Sequence, residues 1–340
     1  AEYGADVVKI ESSRVPDFAR AVMPGPMNAG FASSNRSKRS FGIDLKSPAA
    51  TRIIHDLLRK ADVVIENSAT GVMDRLGLEY DRMKQINPRI IFLSTQLLGS
   101  SGPWARWIGY GPHTHAVSGL QYLWNYPEDE ETPAGSTNTH PDHVVGRLGA
   151  MGVVAALIRR RREGGGAHVE VAQFEVLIQI LGDLLMKASL APGSVRPQGN
   201  SSERGSPWGV YPCSGEDEWC VINIRDADDW KALVEALGRP VWATRREYDD
   251  VDGRREARQE IDEALAAWTR ERTPADVMML LQAHGVPAGV VQHPEHQVHD
   301  PHLGQRGFFQ KLNQHGLGEV LLEGPVFRSR DMPGPRVESA

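Results

Sequence analysis

The strongest constraint on this chain is the alternation of short apolar runs with amphipathic stretches over its first third. "DVVKIE" is followed by a polar, Gly/Pro-rich excursion, "VMPGPMNAGFASSNRSKRS". Then come "FGIDL", "SPAATRIIHDLLRKA", "DVVIEN", "GVMDRLGL", "EYDRMKQI" and "RIIFLSTQ". Brief β-branched runs of this kind read as strands buried on both faces, and the helix-period stretches between them as crossovers. Strands joined by helices lie parallel, so this part of the chain is predicted to be α/β, with helices covering a parallel sheet. Ser47-Pro48 puts a capping hydroxyl before a proline whose missing N–H costs nothing at a helix start. Ile53, Ile54, Leu57 and Leu58 then form the face expected to pack on the sheet.

The segment "NTHPDHVVGRLGAMGVVAALIRRRREGGGAHVEVAQFE" raises a narrower question. Its Gly/Ala-rich run from Val144 to Ile158 predicts a helix that approaches its neighbours closely and is tightly buried, and "RRRREGGG" supplies cations and glycines suited to a helix C-terminus. Asp142 stands just before that run. Aspartate is a preferred N-cap, yet a carboxylate at a helix start beside a close-packed face can also serve as a nucleophile. Local sequence leaves both roles open. "AHVEVAQFEVLIQILGDLLMKASL" then reads as a short strand and one long helix.

Between Leu190 and Gly209 the composition turns to Pro, Gly, Ser and Asn, which marks a boundary. Beyond it, "GVYPCSGEDEWCVINI" predicts a hairpin, and "DADDWKALVEALG", "RREARQEIDEALAAWTRER" and "PADVMMLLQAHG" predict amphipathic helices. The last segment, "GFFQKLNQHGLGEVLLEGPVFRS", is strand-like, has no large core of its own, and is expected to return to another part of the molecule.

Charge narrows the function classes. A formal net charge of −6 over 340 residues gives no basic footprint for nucleic acid and no polybasic segment for an anionic membrane, so small molecules or protein are the expected partners. No uninterrupted apolar run reaches the ~18–20 residues that span a bilayer. Cys213 and Cys220 form neither a disulfide framework nor a zinc set, which suggests a reducing cytoplasm. His293, His296, His299 and His302 recur every third residue, but Pro294 and Pro301 interrupt them, and capping or interface roles fit better than metal binding. His113, His115, His140 and His143 lack a spacing that puts two imidazoles on one helical face, and one of them beside Asp142 could relay a proton. Neither GxGxxG nor GxxxxGK[ST] is present, so the parallel sheet serves another ligand. The cations of "NRSKRS" (Asn35 to Ser40), with Lys46 and Arg75, read as phosphate contacts or as solvated surface.

Eight stretches taken in order then carry a resemblance over nearly the whole chain: "GADVVKIE", "NRSKRSFGIDLKSP", "ADVVIEN" leading to "NPRIIFLS", "GSSGPWARWIGY", "DHVVGRLGAMGVVAAL", "GVYPC", "GVPAGVV" and "DPHLGQRGFF". Together they resemble the class III CoA-transferase family (CaiB/BaiF type), which includes formyl-CoA and carnitine CoA-transferases and α-methylacyl-CoA racemases. The resemblance implies a Rossmann-like large domain (1–188), a linker (189–207), a small α+β domain (208–297) and a C-terminal segment (298–340) that returns to the large domain. It also implies two ring-like subunits interlocked as a homodimer. Asp142 matches the catalytic aspartate, which would attack an acyl-CoA thioester, pass through a mixed anhydride and an aspartyl-CoA thioester, and deliver CoA to an acceptor acid. Lys46, Asn67, Ser68, Ala69 and Arg75 fall at CoA-binding positions, and Tyr110, His113 and His143 at the substrate pocket. Coenzyme A enters as substrate, with no tightly bound cofactor and no metal.

Departures from the family are informative. "NSATG" stands where an aromatic and a basic residue are common, and "PD" replaces "GD". Tyr110 occupies the position of a racemase histidine, with His113 following. The opening strand and helix and a closing "GEH"-like tail are absent, so a fragment or a truncated homologue is expected. A racemase and a non-catalytic acyl-CoA-binding homologue are the alternatives to transfer.

Overall fold

The structure is a computed structural model that describes residues 1–22, 25, 27–127, 129, 131, 134–135, 140–332, 334–335 and 337–340. Met23, Pro24 and Pro26 of the Gly/Pro-rich excursion, and Asn138 and Thr139 ahead of Asp142, lie outside the described residues.

The first strands and helices follow the expected alternation: β1 (Val8–Glu11), α1 (Phe18–Val22), α2 (Ala29–Asn35), β2 (Arg39–Gly42), α3 (Pro48–Lys60), β3 (Val63–Glu66), α4 (Val72–Arg75), α5 (Tyr80–Ile86) and β4 (Ile91–Ser94). Next come α6 (Gly111–Val117), α7 (Leu120–Leu123), α8 (His140–Glu163), β5 (Ala167–Glu170), α9 (Gln173–Ile180) and α10 (Gly182–Leu190). β3, β4 and β5 form a parallel sheet in that order, while β1 and β2 pair in parallel as a separate two-stranded sheet. β4 shows why its sequence is a continuous apolar run. Phe92 points toward Ile54, Leu58 and Met83 of α3 and α5, whereas Ile91 and Leu93 point toward Val153 and Ala156 of α8. Alternate side chains thus fill two cores on opposite faces of one strand.

Several local expectations shift. β1 is not a buried strand, since Val8 and Ile10 are 38% and 39% exposed; its pairing is confined to one edge. β2 covers "RSFG" and ends before Ile43 to Leu45, which pack instead with α3 and α4. Ser47 precedes α3, but its hydroxyl makes no capping bond, and Ile53 faces outward while Ala50, Ile54 and Leu58 are buried. The helix expected to run unbroken to Leu190 is divided at Leu181, where the backbone leaves the helical region before Gly182.

α8 begins at or before His140, so Asp142 lies inside the first turn and is not its N-cap. Its glycines do what the composition suggested. A Cβ at Gly149 would stand 2.9 Å from Leu93 Cδ2, and one at Gly152 2.9 Å from Val169 Cγ1. Only this face is buried, with Val145, Gly149, Val153 and Ala156 on it, while Met151, Val154 and Ile158 lie exposed. By length and composition α8 reaches the range of a membrane span, although Asp142 and Arg147 interrupt its apolar run. Its buried stripe packs on β4 and β5 as a core helix. At its far end Arg160 donates to Asp62 Oδ1 (2.6 Å) and Arg89 O (2.9 Å), fixing the helix to the loops that enter β3 and β4.

The second half builds its own core. β6 (Trp208–Pro212) and β7 (Trp219–Asn223) form the expected antiparallel hairpin, and β8 (Ala288–Val290) adds to β7. Around them stand α11 (Ala227–Ala236), α12 (Val251–Glu256), α13 (Arg258–Thr269) and α14 (Pro274–Ala283), with Trp230, Leu233, Ile261, Leu265, Val277 and Leu281 buried between. Both cysteines are free and buried in this core. Two short helices, α15 (Pro294–Val298) and α16 (Pro301–Gln305), carry the spaced histidines, with His293 as the backbone N-cap of α15.

The C-terminal hairpin, β9 (Phe309–Gln314) and β10 (Gly318–Glu323), lies against the beginning of the chain. Arg36 donates to Glu323 O at 2.8 Å and pairs with Glu2, Glu338 N donates to Ser37 Oγ at 2.9 Å, and Tyr3 stacks on Phe327. The "NRSKRS" cations are thereby committed to structure: Arg36 is buried, Lys38 donates to Ser34 O and Asn35 Oδ1, and Arg39 pairs with Asp6. Arg36 and Lys38 are thus held by the fold, whereas Arg39 is a solvated cation in a surface ion pair.

Candidate active site

In an open parallel α/β sheet the strands end where backbone groups and helix N-termini face one opening, and polar residues placed there can reach a ligand. Here the C-terminal ends of β3, β4 and β5 deliver Glu66, Gln96 and Gln173. Gln96 Nε2 donates to Glu66 Oε1 at 2.6 Å, and Ser68 N donates to Glu66 Oε2 at 2.8 Å. Gln173 N donates to Gln96 O at 3.1 Å and Phe174 N to Leu97 O at 3.0 Å, so the chain beyond β5 stays laddered to the chain beyond β4. From there Gln173 Nε2 donates to Asp142 Oδ1 at 2.5 Å. One connected set therefore runs from the residue before Asn67 to Asp142.

Asp142 is half-buried in the first turn of α8, where the helix dipole favours its negative charge, and Gln173 opens α9. Behind that turn His140 packs on His115, with ring centroids 4.5 Å apart, and both lie against Trp124. His143 is exposed, and its carbonyl accepts from Arg147. Burial pushes the Glu66 carboxyl above the usual carboxylate range despite its hydrogen bonds from Ser68 and Gln96.

The other sequence-predicted residues sit in two groups. Asn67 and Ala69 are exposed on the loop that Glu66 closes, Ser68 is half-buried there, and Arg75 ends α4. Lys46 is exposed just after Leu45, which packs in the same core as Met73 and Leu76 of α4, so both cations flank one cluster. Tyr110 and His113 form the α6 turn. Tyr110 N donates to His113 Nδ1 at 3.0 Å, and the Tyr110 ring stacks on Phe18. The turn rests on the same strand exit, because a Cβ at Gly109 would stand 2.9 Å from Leu97 Cδ2.

A backbone N–H can only donate, so Nδ1 of His113 accepts, and the neutral ring carries its proton on Nε2. In that tautomer the outward nitrogen is a donor and is unavailable as a base.

The sequence model of CoA-transferase family III matches residues 1–340. The chain belongs to CoA-transferase family III. It is thus a member of an enzyme family, and its relatives bear that out in their names. A probable CoA-transferase of Mycobacterium tuberculosis (strain ATCC 25618 / H37Rv) is 36% identical over 320 residues, covering 92% of this chain and 40% of that protein. Acetyl-CoA:oxalate CoA-transferase of Acetobacter aceti is 31% identical, covering 85% of this chain and 74% of that one. A CAIB/BAIF family protein from Brucella suis, solved as a crystal structure, superposes with a TM-score of 0.88 at 27% identity, covering 99% of this chain and 88% of that one. This chain therefore spans less than half the length of the first of these relatives and most of the length of the other two.

Glu66, Gln96 and Gln173 escaped the sequence reading. Their signal was positional: each is a polar side chain at or just past the end of an apolar strand run.

Proposed function

We propose that the chain moves CoA from an acyl-CoA thioester to a carboxylic acid acceptor, with Asp142 as the nucleophile. The observation that carries this reading is the Asp142 carboxylate at the strand-exit edge, held through Oδ1 by Gln173, with Oδ2 unpartnered among the described residues. In this reading Oδ2 attacks the acyl carbon, the carbon–sulfur bond breaks, and CoA leaves as thiolate. Splitting one transfer into several acyl-exchange steps of similar energy is the gain from covalent catalysis. Lys46, Arg75 and the Asn67–Ser68–Ala69 loop are proposed to hold the CoA moiety, with Tyr110, His113 and His143 bordering the acyl pocket. Oxalate and D-citramalate, which appear in the names of related transferases, point to small di- or polycarboxylates as the acceptor class.

The 2-methylacyl-CoA racemase reading needs a second acid/base opposite Asp142, and His113 could offer only Nε2 for it, because Nδ1 is occupied as the acceptor of Tyr110 N. A homodimer is proposed as well, supported by the exposed apolar residues Met151, Val154 and Ile158 of α8 and Ile180, Met186 and Leu190 of α9 and α10. A cytoplasmic location is proposed from the two free, buried cysteines.

The test is CoA exchange between a panel of acyl-CoA donors and dicarboxylates, with hydroxylamine added during turnover. The expected result is a hydroxamate on Asp142 and loss of exchange in Asp142→Ala. Full exchange in that variant refutes the nucleophile. Deuterium uptake at the α-carbon without acceptor acid would select the racemase, and CoA-ester binding without turnover the non-catalytic homologue.

A further inference from the structure

We propose that Gln173 is a catalytic residue, its side-chain amide serving as oxyanion donor in the steps that attack the carboxyl carbon of Asp142. This rests on the nucleophile proposed above.

The geometry makes Gln173 a fixed donor. Its backbone N–H is spent on Gln96 O, its neighbours Val171 and Phe174 are tied to Ser94 O and Leu97 O, and its side chain is 9% exposed. From that frame Nε2 reaches Asp142 Oδ1 at 2.5 Å. Among the described residues, the Gln173 Oε1 is buried with no hydrogen-bond partner. An apolar side chain of similar size would fill the same space without stranding a carbonyl, so packing does not account for an amide here. What the amide supplies is the N–H aimed at Asp142.

The chemistry identifies when that N–H matters. After Oδ2 has taken the acyl group, the CoA thiolate attacks Cγ of Asp142, and the C=O electron pair moves onto Oδ1. Collapse of this tetrahedral species breaks the Cγ–Oδ2 bond and expels the donor acid as a carboxylate that carries Oδ2 away. Cγ is left bonded to sulfur, with Oδ1 as its carbonyl oxygen. The acceptor carboxylate next attacks the same carbon, Oδ1 again takes the charge, and the thiolate departs with the carbon–sulfur electron pair. The thiolate finally attacks the acceptor's acyl carbon and releases Asp142 as carboxylate. In both attacks at Cγ the charge gathers on the oxygen that Gln173 already holds. A donor in place before charge develops needs no reorganisation.

Gln173→Leu and Gln173→Met keep the side-chain volume and remove the donor. The expected result for both is kcat lowered about 10²–10³-fold with the KM for acyl-CoA nearly unchanged, since Gln173 is placed on Asp142 and not on the thioester. Rapid-quench intact-mass analysis with acyl-CoA and no acceptor acid, which isolates the first attack at Cγ, should show the acyl-aspartyl adduct persisting and the CoA-aspartyl adduct forming more slowly. A role in packing alone would move neither the kcat-to-KM split nor the adduct ratio. Wild-type kcat and adduct ratio in whichever variant folds overturns the proposal while leaving the nucleophile intact. Absence of any Asp142 adduct in the wild-type enzyme overturns both.

Discussion

Two glycines about one turn apart on α8 carry opposite expectations. A Cβ at Gly149 would stand 2.9 Å from Leu93 Cδ2 and 3.4 Å from Cδ1, and Leu93 is 2% exposed, so it has little room to retreat. A Cβ at Gly146 would meet nothing within 4 Å. Helix propensity favours alanine over glycine by about 0.8–1.0 kcal/mol at either site. At position 146 nothing opposes that gain, and Gly146→Ala should stabilise by roughly 1 kcal/mol. At position 149 crowding a filled core costs about 1–3 kcal/mol, so Gly149→Ala should be destabilised by about 0–2 kcal/mol net. The propensity gain cancels between the two, leaving a gap of about 1–3 kcal/mol set by the Leu93 contact alone. Equilibrium urea denaturation followed by circular dichroism measures it, with the midpoints moving apart at constant slope. Equal upward shifts would refute the close seating of α8 on β4. Asp142 lies two turns, about 10 Å, toward the N-terminus of the same helix. Pushing α8 off Leu93 should therefore lower kcat in Gly149→Ala and leave Gly146→Ala close to wild type.

Two further outcomes follow from other regions. The Arg225 guanidinium beside buried Asp229 holds its carboxyl below the usual carboxylate range, with Arg225 N also donating to it at 2.9 Å. Its native state binds a proton less tightly than the unfolded chain, so this contribution is present above pH ~4 and is lost as pH falls through the lowered value. Asp229→Asn should lower stability at neutral pH and flatten the acid limb of melting temperature against pH; an unchanged acid limb would contradict the pairing. Met151→Glu puts a charge on the exposed apolar stripe of α8, where Met151 is 66% exposed. Light scattering should then report one chain's mass instead of two, whereas a wild type that is already monomeric defeats the proposed dimer.

The parallel sheet was legible because β3 and β4 carry apolar residues at successive positions, although only β4 is buried on both faces and Ile65 of β3 is 63% exposed. Register was less so. β2 begins two residues earlier than "FGIDL", because backbone pairing with β1 selects Arg39 to Gly42 and leaves Ile43 and Leu45 to the α3 core. The breaks at Leu181 and Ala257 were invisible, since the helical pattern continues through both and only the backbone departs. Asp142 was legible as a candidate, first through its helix-start position and then through the family resemblance. Glu66, Gln96 and Gln173 were not, because each is unremarkable within its own segment, and parallel pairing of three strands separated by long crossovers brings them together.

That convergence bears on why the partner of Asp142 is an amide. In the proposed cycle this side chain is a nucleophilic carboxylate in one step and an electrophilic carbonyl in the next. A guanidinium or ammonium at hydrogen-bond distance would form a charge-assisted bond about twice as strong as a neutral one, and would hold the resting carboxylate in its ground state. Three arginines of α8 are turned to other tasks: Arg147 donates to His143 O, Arg159 to Gly166 O, and Arg160 to Asp62 and Arg89. A neutral amide binds the delocalised carboxylate modestly and binds more strongly once the charge is concentrated on Oδ1. Its contribution is therefore larger in the transition state than at rest, which is the condition for lowering a barrier. Glu66 lies on the other side of the same pair of glutamines, with burial favouring its protonated form. Neutral amides at the strand exits thus hold both Glu66 and Asp142 without a cation that would fix either carboxyl group in its ground state.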